Sequence, residues 1–173
     1  MIICIDGANF VGKSTIINEI KKNLHNIKII EDYEIKEMAD KLGNYLDARL
    51  EIQKKYNLAS TKDDIIICRW FPSMYVFDYS KDYLKFNMDI RNLIEPDFTF
   101  VIGASMFNLI KRQNSRTGFK LQKNIFEQLV LYKNIARKMK YKYYKNNNIK
   151  QKNRIVKEII DTIVNTNISN ENK

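Results

Sequence analysis

The sequence predicts an α/β fold in which a five-stranded parallel sheet is flanked by helices. Short apolar runs rich in β-branched residues alternate with stretches whose apolar residues recur at helical spacing. The chain has 173 residues, 45% of them hydrophobic, which is enough to close the core of one domain. No internal repeat or long linker divides it, so we predict a single domain over residues 1–166.

The first 68 residues alternate strand and helix patterns. The N-terminal apolar run is continuous, and Gly7 ends it, which is typical of a parallel strand buried on both faces. Gly43 interrupts a long helical stretch and predicts a break there. The predicted elements are a strand at 2–6, a helix at 13–24, a strand at 27–30, helices within 34–57 and a strand at 65–68.

The rest of the chain continues the alternation, with one polar interruption. Pro96 ends a helical stretch, because the residue before a proline disfavours helical geometry. The predicted elements are a helical stretch at 73–94, a strand at 98–102, a helix at 105–113, a polar segment at 113–123, a helix at 124–140, a weak strand at 141–144, a last helix at 151–166 and a disordered tail at 167–173.

Composition narrows the class of protein. No apolar run approaches the roughly 20 residues that cross a membrane, and the N-terminus lacks the basic leader of a signal peptide. Cys4 and Cys68 lie in separate apolar runs without metal-ligand spacing, which is typical of reduced core thiols. We expect a cytoplasmic protein with no membrane partner, and its abundant Lys, Asn and Ile suggest an AT-rich bacterial, viral or phage-like source.

The net charge of +10 is concentrated in the C-terminal part of the chain. Residues 111–173 carry 16 basic and four acidic residues, whereas residues 1–110 carry 14 basic and 16 acidic ones. This asymmetry fits a nucleic-acid surface, a site for polyanionic small molecules, or lysines on solvated helix faces. Composition alone does not decide among these three explanations.

Residues 7–15 match the phosphate-loop pattern between a predicted strand and a predicted helix, which is the context that the motif requires. Glycine permits the sharp turn that lets successive amides and the helix N-terminus face phosphate oxygens. Lys13 is predicted to neutralise the β- and γ-phosphates of ATP, and Ser14 to ligate Mg²⁺. The predicted nucleotide-binding residues are Gly7, Ala8, Asn9, Phe10, Val11, Gly12, Lys13, Ser14 and Thr15.

Three further segments resemble the thymidylate kinase and deoxynucleoside kinase group, from residue 2 to about 166. The first, DIIICRWFPSMY, is similar to the family's third strand and the Asp-Arg-Tyr motif after it. Arg69 matches the arginine that holds the acceptor in the family, and its planar fork suits phosphate oxygens. Trp70 follows it as a second substrate-binding candidate. Cys68 departs from the pattern, since thymidylate kinases carry aspartate and deoxynucleoside kinases often glutamate there.

The second segment, YLDAR from Tyr45 to Arg49, resembles the thymidylate kinase stretch whose aromatic and arginine contact the thymine base. The resemblance implies that Tyr45 stacks on the base and Arg49 donates to it. Residues four apart lie on one helix face, so both could reach one base. The alternative is that Tyr45 is a core residue and Arg49 forms a surface ion pair.

The third segment runs from Pro96 into a short arginine-bearing lid at about 112–123, and completes the resemblance to a three-layer P-loop kinase fold. Arg112 and Arg116 are the lid candidates that would stabilise charge on the migrating phosphoryl group. The alternative is that both lie on a solvated helix end.

Glu31 is the candidate general base. Deoxynucleoside kinases carry a glutamate at the end of the second strand that accepts the sugar hydroxyl proton, whereas the Arg-Glu-Pro-Gly-Gly run of thymidylate kinases is absent here. Asp32 and Glu34 are nearby substitutes.

The resemblance implies an ATP-dependent deoxynucleotide kinase that transfers the γ-phosphate to a thymidylate-type monophosphate. The implied partners are a nucleoside triphosphate donor and a deoxynucleotide acceptor, and the helices between residues 34 and 94 could supply a homodimer interface. The alternatives are a deoxynucleoside kinase with Glu31 as base, a less favoured kinase acting on a nucleotide within DNA or RNA, and a non-catalytic nucleotide-binding regulator.

Overall fold

A computed structural model describes residues 1–115 and 124–171. Five parallel strands form one sheet in the order β2-β3-β1-β4-β5. The predicted fold class is therefore confirmed. The strands are β1 (Ile2–Gly7), β2 (Ile27–Ile30), β3 (Asp64–Cys68), β4 (Phe98–Gly103) and β5 (Lys142–Lys145).

Within the described residues, eight α-helices connect and flank these strands. Gly43, in the left-handed region with φ of 81°, ends one helix, and the Asn44 side chain caps the next, which confirms the predicted break. The helices are α1 (Lys13–Asn23), α2 (Asp32–Leu42), α3 (Tyr45–Lys55), α4 (Phe71–Asp78), α5 (Tyr83–Asp89), α6 (Met106–Asn114), α7 (Ile125–Lys138) and α8 (Ile149–Glu171), with a 3₁₀ turn at Ile90–Asn92.

The sheet separates two hydrophobic cores. Alternate residues of β1 point to opposite faces, so Ile3 and Ile5 pack with α1 and α8, while Ile2 and Cys4 pack with α2, α3 and α5. This two-sided burial explains why the central strand is continuously apolar rather than alternating.

The C-terminal helix is longer than predicted, and the prediction of a disordered tail from residue 167 is wrong as far as Glu171. The Thr162 and Thr166 hydroxyls each donate to the carbonyl four residues earlier, at 2.8 Å. Asn167 Nδ2 donates to Asp64 Oδ2 at 2.7 Å, which ties the last turns to the start of β3. Residues 172–173 lie outside the described residues.

The carboxyl ends of the strands lie at one edge of the sheet, because all neighbouring strands are parallel. Gly7, Glu31 and Arg69 end or follow three adjacent strands there, which is where open α/β sheets bind ligands. Across residues 1–115 and 124–171, no helix combines the length and apolar character needed to span a membrane.

Candidate active site

The predicted phosphate loop, residues 7–15, joins β1 to α1, as the motif requires, and its two glycines are both needed. Gly7 has φ of 142°, and a Cβ there would lie 2.1 Å from the Ile102 carbonyl oxygen. Gly12 has φ of 96° and precedes the first residue of α1. These positions therefore demand glycine for close approach and for backbone geometry.

Lys13 begins α1 and folds back over the loop. Its Nζ donates to the Gly7 and Ala8 carbonyl oxygens, at 2.7 and 2.9 Å. Burial of the amine, reinforced by the nearby positive charge of Arg69, lowers the pKa of Lys13 to about 7. Ser14 and Thr15 are exposed in the first turn of the helix, where hydroxyl oxygens and backbone amides are open to an anion or a cation.

Asp6 is a residue of the site that the sequence did not single out. It is fully buried, and its oxygens accept from Gly7 N at 2.7 Å and Ser73 Oγ at 2.6 Å. It also accepts from the backbone amides of Trp70 and Ser73, at 3.1 and 2.9 Å. The only available signal was an acidic residue at the end of an apolar strand. Asp6 joins the phosphate loop to the turn between β3 and α4.

Arg69, the predicted acceptor arginine, lies beside the phosphate loop. Its Nε donates to Asp32 Oδ2 at 2.6 Å, one terminal nitrogen donates to Tyr132 at 3.2 Å, and the other donates to Asn9 Oδ1. The guanidinium lies 5.4 Å from the centre of the Phe77 ring. Burial acts against its charge, but Tyr132 and Asp32 outweigh burial and raise the pKa of Arg69. It is therefore a fixed cation at the edge of the loop.

Tyr132 of α7 completes this polar network from the far end of the chain. Its side chain is 1% exposed, and its hydroxyl lies 2.8 Å from Ser73 Oγ as well as 3.2 Å from Arg69. Burial and the negative charge of Asp6 raise the pKa of Tyr132, so the hydroxyl keeps its proton. No local pattern distinguishes it from an ordinary core aromatic.

Tyr45, Arg49 and Arg69 line one cleft of about 530 Å³. Tyr45 is 40% exposed at the rim, so it is not a core residue. Arg49 does form an ion pair, with Asp78 Oδ2 at 3.7 Å, but its own side chain is 3% exposed, so this pair is not a surface one. Arg49 donates to the Tyr45 carbonyl oxygen at 3.1 Å and lies 5.7 Å from the centre of its ring. The cleft residues are Asn9, Asp32, Ile35, Lys36, Tyr45, Arg49, Arg69, Ser73, Phe77 and Asp78.

Trp70 is a core residue, so its prediction as a substrate-binding side chain is wrong. Its indole is 0% exposed, stacks on Phe71 and donates through Nε1 to the Ile94 carbonyl oxygen at 3.0 Å. The reason is the backbone: Arg69 has φ of 62°, and this turn leaves Arg69 in the cleft while the next side chain enters the core.

Glu31 lies beside Cys68, the residue that departs from the family pattern. The Cys68 thiol donates to Glu31 Oε2 at 3.8 Å, and Lys21 lies 3.6 Å from Oε1. Burial and the Glu31 charge raise the pKa of Cys68, so the thiol stays protonated. The Glu31 carboxylate therefore lies at the end of β3, although Glu31 itself follows the neighbouring strand β2.

Arg112 contacts the carbonyl oxygens of the phosphate loop. Its guanidinium donates to Phe10 O at 3.3 Å, Val11 O at 3.0 Å and Asn146 O at 2.6 Å. The Asn146 side chain donates to Val11 O at 2.8 Å. Arg112 therefore connects the end of α6 to the loop and to the segment after β5, beside a second cleft of about 480 Å³. Arg116 and residues 117–123 of the predicted lid lie outside the described residues.

Ser14 is the residue predicted to hold a divalent cation, and it lies exposed in the first turn of α1. No group of three or more His, Cys, Asp or Glu side chains within the described parts of the chain is arranged to hold a metal ion. Mg²⁺ commonly binds through one or two protein oxygens together with substrate phosphates and water. The exposed Ser14 hydroxyl next to Lys13 fits that mode.

Comparison with known proteins supports the fold. No protein-family model and no curated protein sequence matches the chain. The structure is similar to a thymidylate kinase from Candida albicans, with a TM-score of 0.72 and 17% identity over 95% of this chain and 92% of that one. It is also similar to a thymidylate kinase from Ehrlichia chaffeensis, with a TM-score of 0.63 and 17% identity over 94% of this chain and 98% of that one. The predicted likeness of fold to thymidylate kinases is confirmed.

Proposed function

We propose that this protein is an ATP-dependent deoxynucleotide kinase whose acceptor is a thymidylate-type deoxynucleoside monophosphate. One observation supports it above the others. Three of the four residues predicted to bind the acceptor, Tyr45, Arg49 and Arg69, line one cleft, and Arg69 also bonds to Asn9 of the phosphate loop. A triphosphate on the loop and a phosphate on Arg69 would then be neighbours.

The donor half of the site would bind the triphosphate of ATP. The amides of residues 8–15 and the N-terminus of α1 offer hydrogen bonds and a partial positive charge to the phosphates. Lys13 would leave the Gly7 and Ala8 carbonyls for the β- and γ-phosphates. Ser14 would hold Mg²⁺, which supplies charge neutralisation between the phosphates.

The acceptor half would hold the monophosphate in line with the γ-phosphorus. An oxygen of the acceptor phosphate forms the new bond to the γ-phosphorus as the bond to the β-γ bridging oxygen breaks, giving ADP and a deoxynucleoside diphosphate. Arg69 would hold the acceptor phosphate by its planar fork. This acceptor needs no general base, because its second pKa is near 6 and the attacking oxygen is already ionised.

A deoxynucleoside kinase is the second candidate, and the position of Glu31 favours it. A sugar hydroxyl must lose its proton to a base, and Glu31 would supply the carboxylate from the carboxyl edge of the sheet, where it lies beside Cys68. Transfer to a nucleotide within DNA or RNA and binding without catalysis are the remaining alternatives.

The test is a phosphoryl-transfer screen with ATP and Mg²⁺. The acceptors are the deoxynucleosides, their monophosphates and short oligonucleotides, with Lys13→Ala as the blank and the exposed Lys22→Ala of the same helix as the matched control. Turnover on dTMP that Lys13→Ala abolishes supports the proposal. Turnover on thymidine alone favours the Glu31 alternative, turnover on oligonucleotides alone favours a polynucleotide kinase, and ATP binding without turnover favours a regulator.

A further inference from the structure

A stretch near the C-terminus, residues 133–157, carries ten basic residues and no acidic residue. It comprises the end of α7, the strand β5 and the first turns of α8, and the structure describes all of it. Each of the ten basic side chains is exposed except Lys152, which is partly exposed. We call these ten residues the basic face: Lys133, Arg137, Lys138, Lys140, Lys142, Lys145, Lys150, Lys152, Arg154 and Lys157.

The three elements that carry the basic face are neighbours in space. The strand β5 lies at the end of the sheet order, beside β4, and α7 packs against it. Lys142 of β5 forms an ion pair with Glu158 of α8 at 3.3 Å. The Tyr144 hydrogen bond and the charges of Lys142 and Arg154 lower the pKa of Glu158, so Arg154 also lies near β5. The basic residues of all three elements therefore lie along the β5 side of the molecule.

Little of this charge is balanced by acidic side chains. Within residues 1–115 and 124–171, only Lys142 and Lys152 of the basic face form ion pairs, and the Lys152 pair, with Glu19, is 3.9 Å long. Like charges repel one another, and ordinary protein surfaces intersperse both signs. A solvated helix face would carry that mixture, whereas a surface of one sign is typical of a site that binds a polyanion.

The proposed nucleotide site does not account for the basic face. Lys152 lines the cleft beside Arg112, but the other nine residues line neither that cleft nor the acceptor cleft. ATP and a deoxynucleotide would therefore leave most of this charge without a partner.

The other side chains of the same stretch indicate which polyanion fits. A helix that lies on a membrane needs an exposed apolar face. Within residues 133–157, Ile149 is the only large hydrophobic side chain that is strongly exposed, and Ile155 of α8 is buried in the core. Amides, which can donate to phosphate and sugar oxygens, are exposed instead: Asn134, Asn148 and Asn153.

The aromatic residues of this stretch indicate how a nucleic acid would be held. Tyr141, Tyr143 and Tyr144 are only partly exposed, and the Tyr144 hydroxyl bonds to Glu158. Proteins that hold single strands by their bases stack them on open aromatic rings, and these rings are not open in that way. Contact with the phosphate backbone is therefore the mode that the basic face offers.

We propose that the basic face binds the phosphate backbone of a nucleic acid without sequence preference. The nucleic acid bound there is a partner and not a substrate, because the face lies outside both clefts. This inference does not depend on the proposed function.

The test measures binding of the full-length protein to a mixed-sequence DNA duplex of about 20 base pairs by fluorescence anisotropy, at several salt concentrations. Six phosphate contacts would make the affinity fall about 10³-fold between about 50 and 200 mM NaCl. Vesicles of phosphatidylcholine and phosphatidylserine serve as the competing anionic surface, and we expect them to bind more weakly than the duplex.

Two variants that each lose four exposed positive charges locate the site. In the first, the affinity for the duplex should fall about 10²-fold and the slope of log affinity against log salt should become shallower by about 3 to 4. It combines Lys133→Gln, Arg137→Gln, Arg154→Gln and Lys157→Gln. The second is the matched control, which should change the affinity less than about threefold because its residues lie far from the basic face in sequence and among acidic residues. It combines Lys41→Gln, Lys62→Gln, Lys81→Gln and Arg91→Gln.

Three results would overturn the inference: duplex binding that is absent or insensitive to salt, equal losses in the two variants, or tighter binding to the vesicles than to the duplex. Lys13→Ala should bind the duplex as the wild type does. A loss in Lys13→Ala as large as in the first variant would place the nucleic acid in the phosphate loop as a substrate, which also overturns the inference. The wild-type salt dependence needs no variant, so poor folding of a variant would not remove the test.

Discussion

The phosphate loop takes its shape from nine consecutive residues, whereas the acceptor cleft gathers its side chains from several separate elements. In the loop the groups that we propose to bind phosphate are mainly backbone amides, positioned by the glycines at 7 and 12. In the cleft they are side chains carried by α2, α3, α4 and the turn after β3. The two regions are therefore expected to respond differently to substitution.

The two regions meet at a small polar network. Asp6 bonds the loop to Ser73 of α4, and Arg69 bonds to Asn9 of the loop. Substitutions inside one region should affect one ligand, and substitutions in the network should affect both. The predictions below follow that division.

Lys13→Ala should have the largest effect on turnover and should leave the acceptor cleft intact. It removes a charge aimed at the transferred phosphate, so turnover on dTMP should fall about 10³-fold. The dTMP dissociation constant should stay unchanged, as calorimetry would show. Lys22→Ala is the control, and a large loss of dTMP affinity in Lys13→Ala would show that the two regions are not separable.

Arg69→Lys should impair both the phosphate loop and the acceptor cleft, because Arg69 contacts both of them. Lysine keeps the charge but cannot contact Asp32, Tyr132 and Asn9 at once, so kcat/KM for dTMP should fall about 10²-fold. Steady-state kinetics with dTMP and ATP varied in turn would measure it. An unchanged kcat/KM for dTMP would remove Arg69 from the acceptor site.

Tyr132→Phe should have a moderate effect through Arg69. Loss of the hydroxyl leaves Ser73 without one partner and Arg69 without another, which costs about 1–3 kcal/mol in the free energy of unfolding. We expect kcat/KM for dTMP to fall about tenfold, measured alongside urea unfolding. A stability loss without any kinetic change would assign Tyr132 to packing alone.

The smallest effect is a proton taken up when ATP binds. The pKa of Lys13 is about 7, and the triphosphate charge should raise it, so binding above that pH protonates the amine. Uptake should grow toward one proton as the pH rises above 7, and ATP affinity should weaken in the same direction. Calorimetry in two buffers of different ionisation enthalpy would measure it, with dTMP binding as the control. Equal apparent enthalpies in both buffers would contradict this assignment.

The sequence was most informative where function depends on adjacent residues. The phosphate loop was predicted because its pattern is contiguous and its context is a strand followed by a helix. The predicted acceptor residues Tyr45, Arg49 and Arg69 were inferred from the resemblance, and the structure places these three side chains along one cleft.

Residues whose roles depend on the tertiary fold were missed or misplaced. Tyr132 and Asp78 join the site only because α7 and α4 pack beside the end of β3, and no local pattern marks either of them. Trp70 was misplaced because the positive φ of Arg69 turns its side chain into the core. The last helix was predicted to end at residue 166. Asn167 bonds to Asp64, which lies more than 100 positions away in the sequence, and such a distant contact leaves no local pattern.

The central claim is that the loop and the cleft bind two nucleotides end to end. The most direct measurement is calorimetric binding of adenosine and thymidine joined 5′ to 5′ through a chain of five phosphates. We predict affinity at least about 10²-fold above that of ATP or dTMP alone, because the second site is then engaged intramolecularly, with loss of this gain in both Lys13→Ala and Arg69→Lys. Affinity no higher than that of the better single nucleotide would contradict the account.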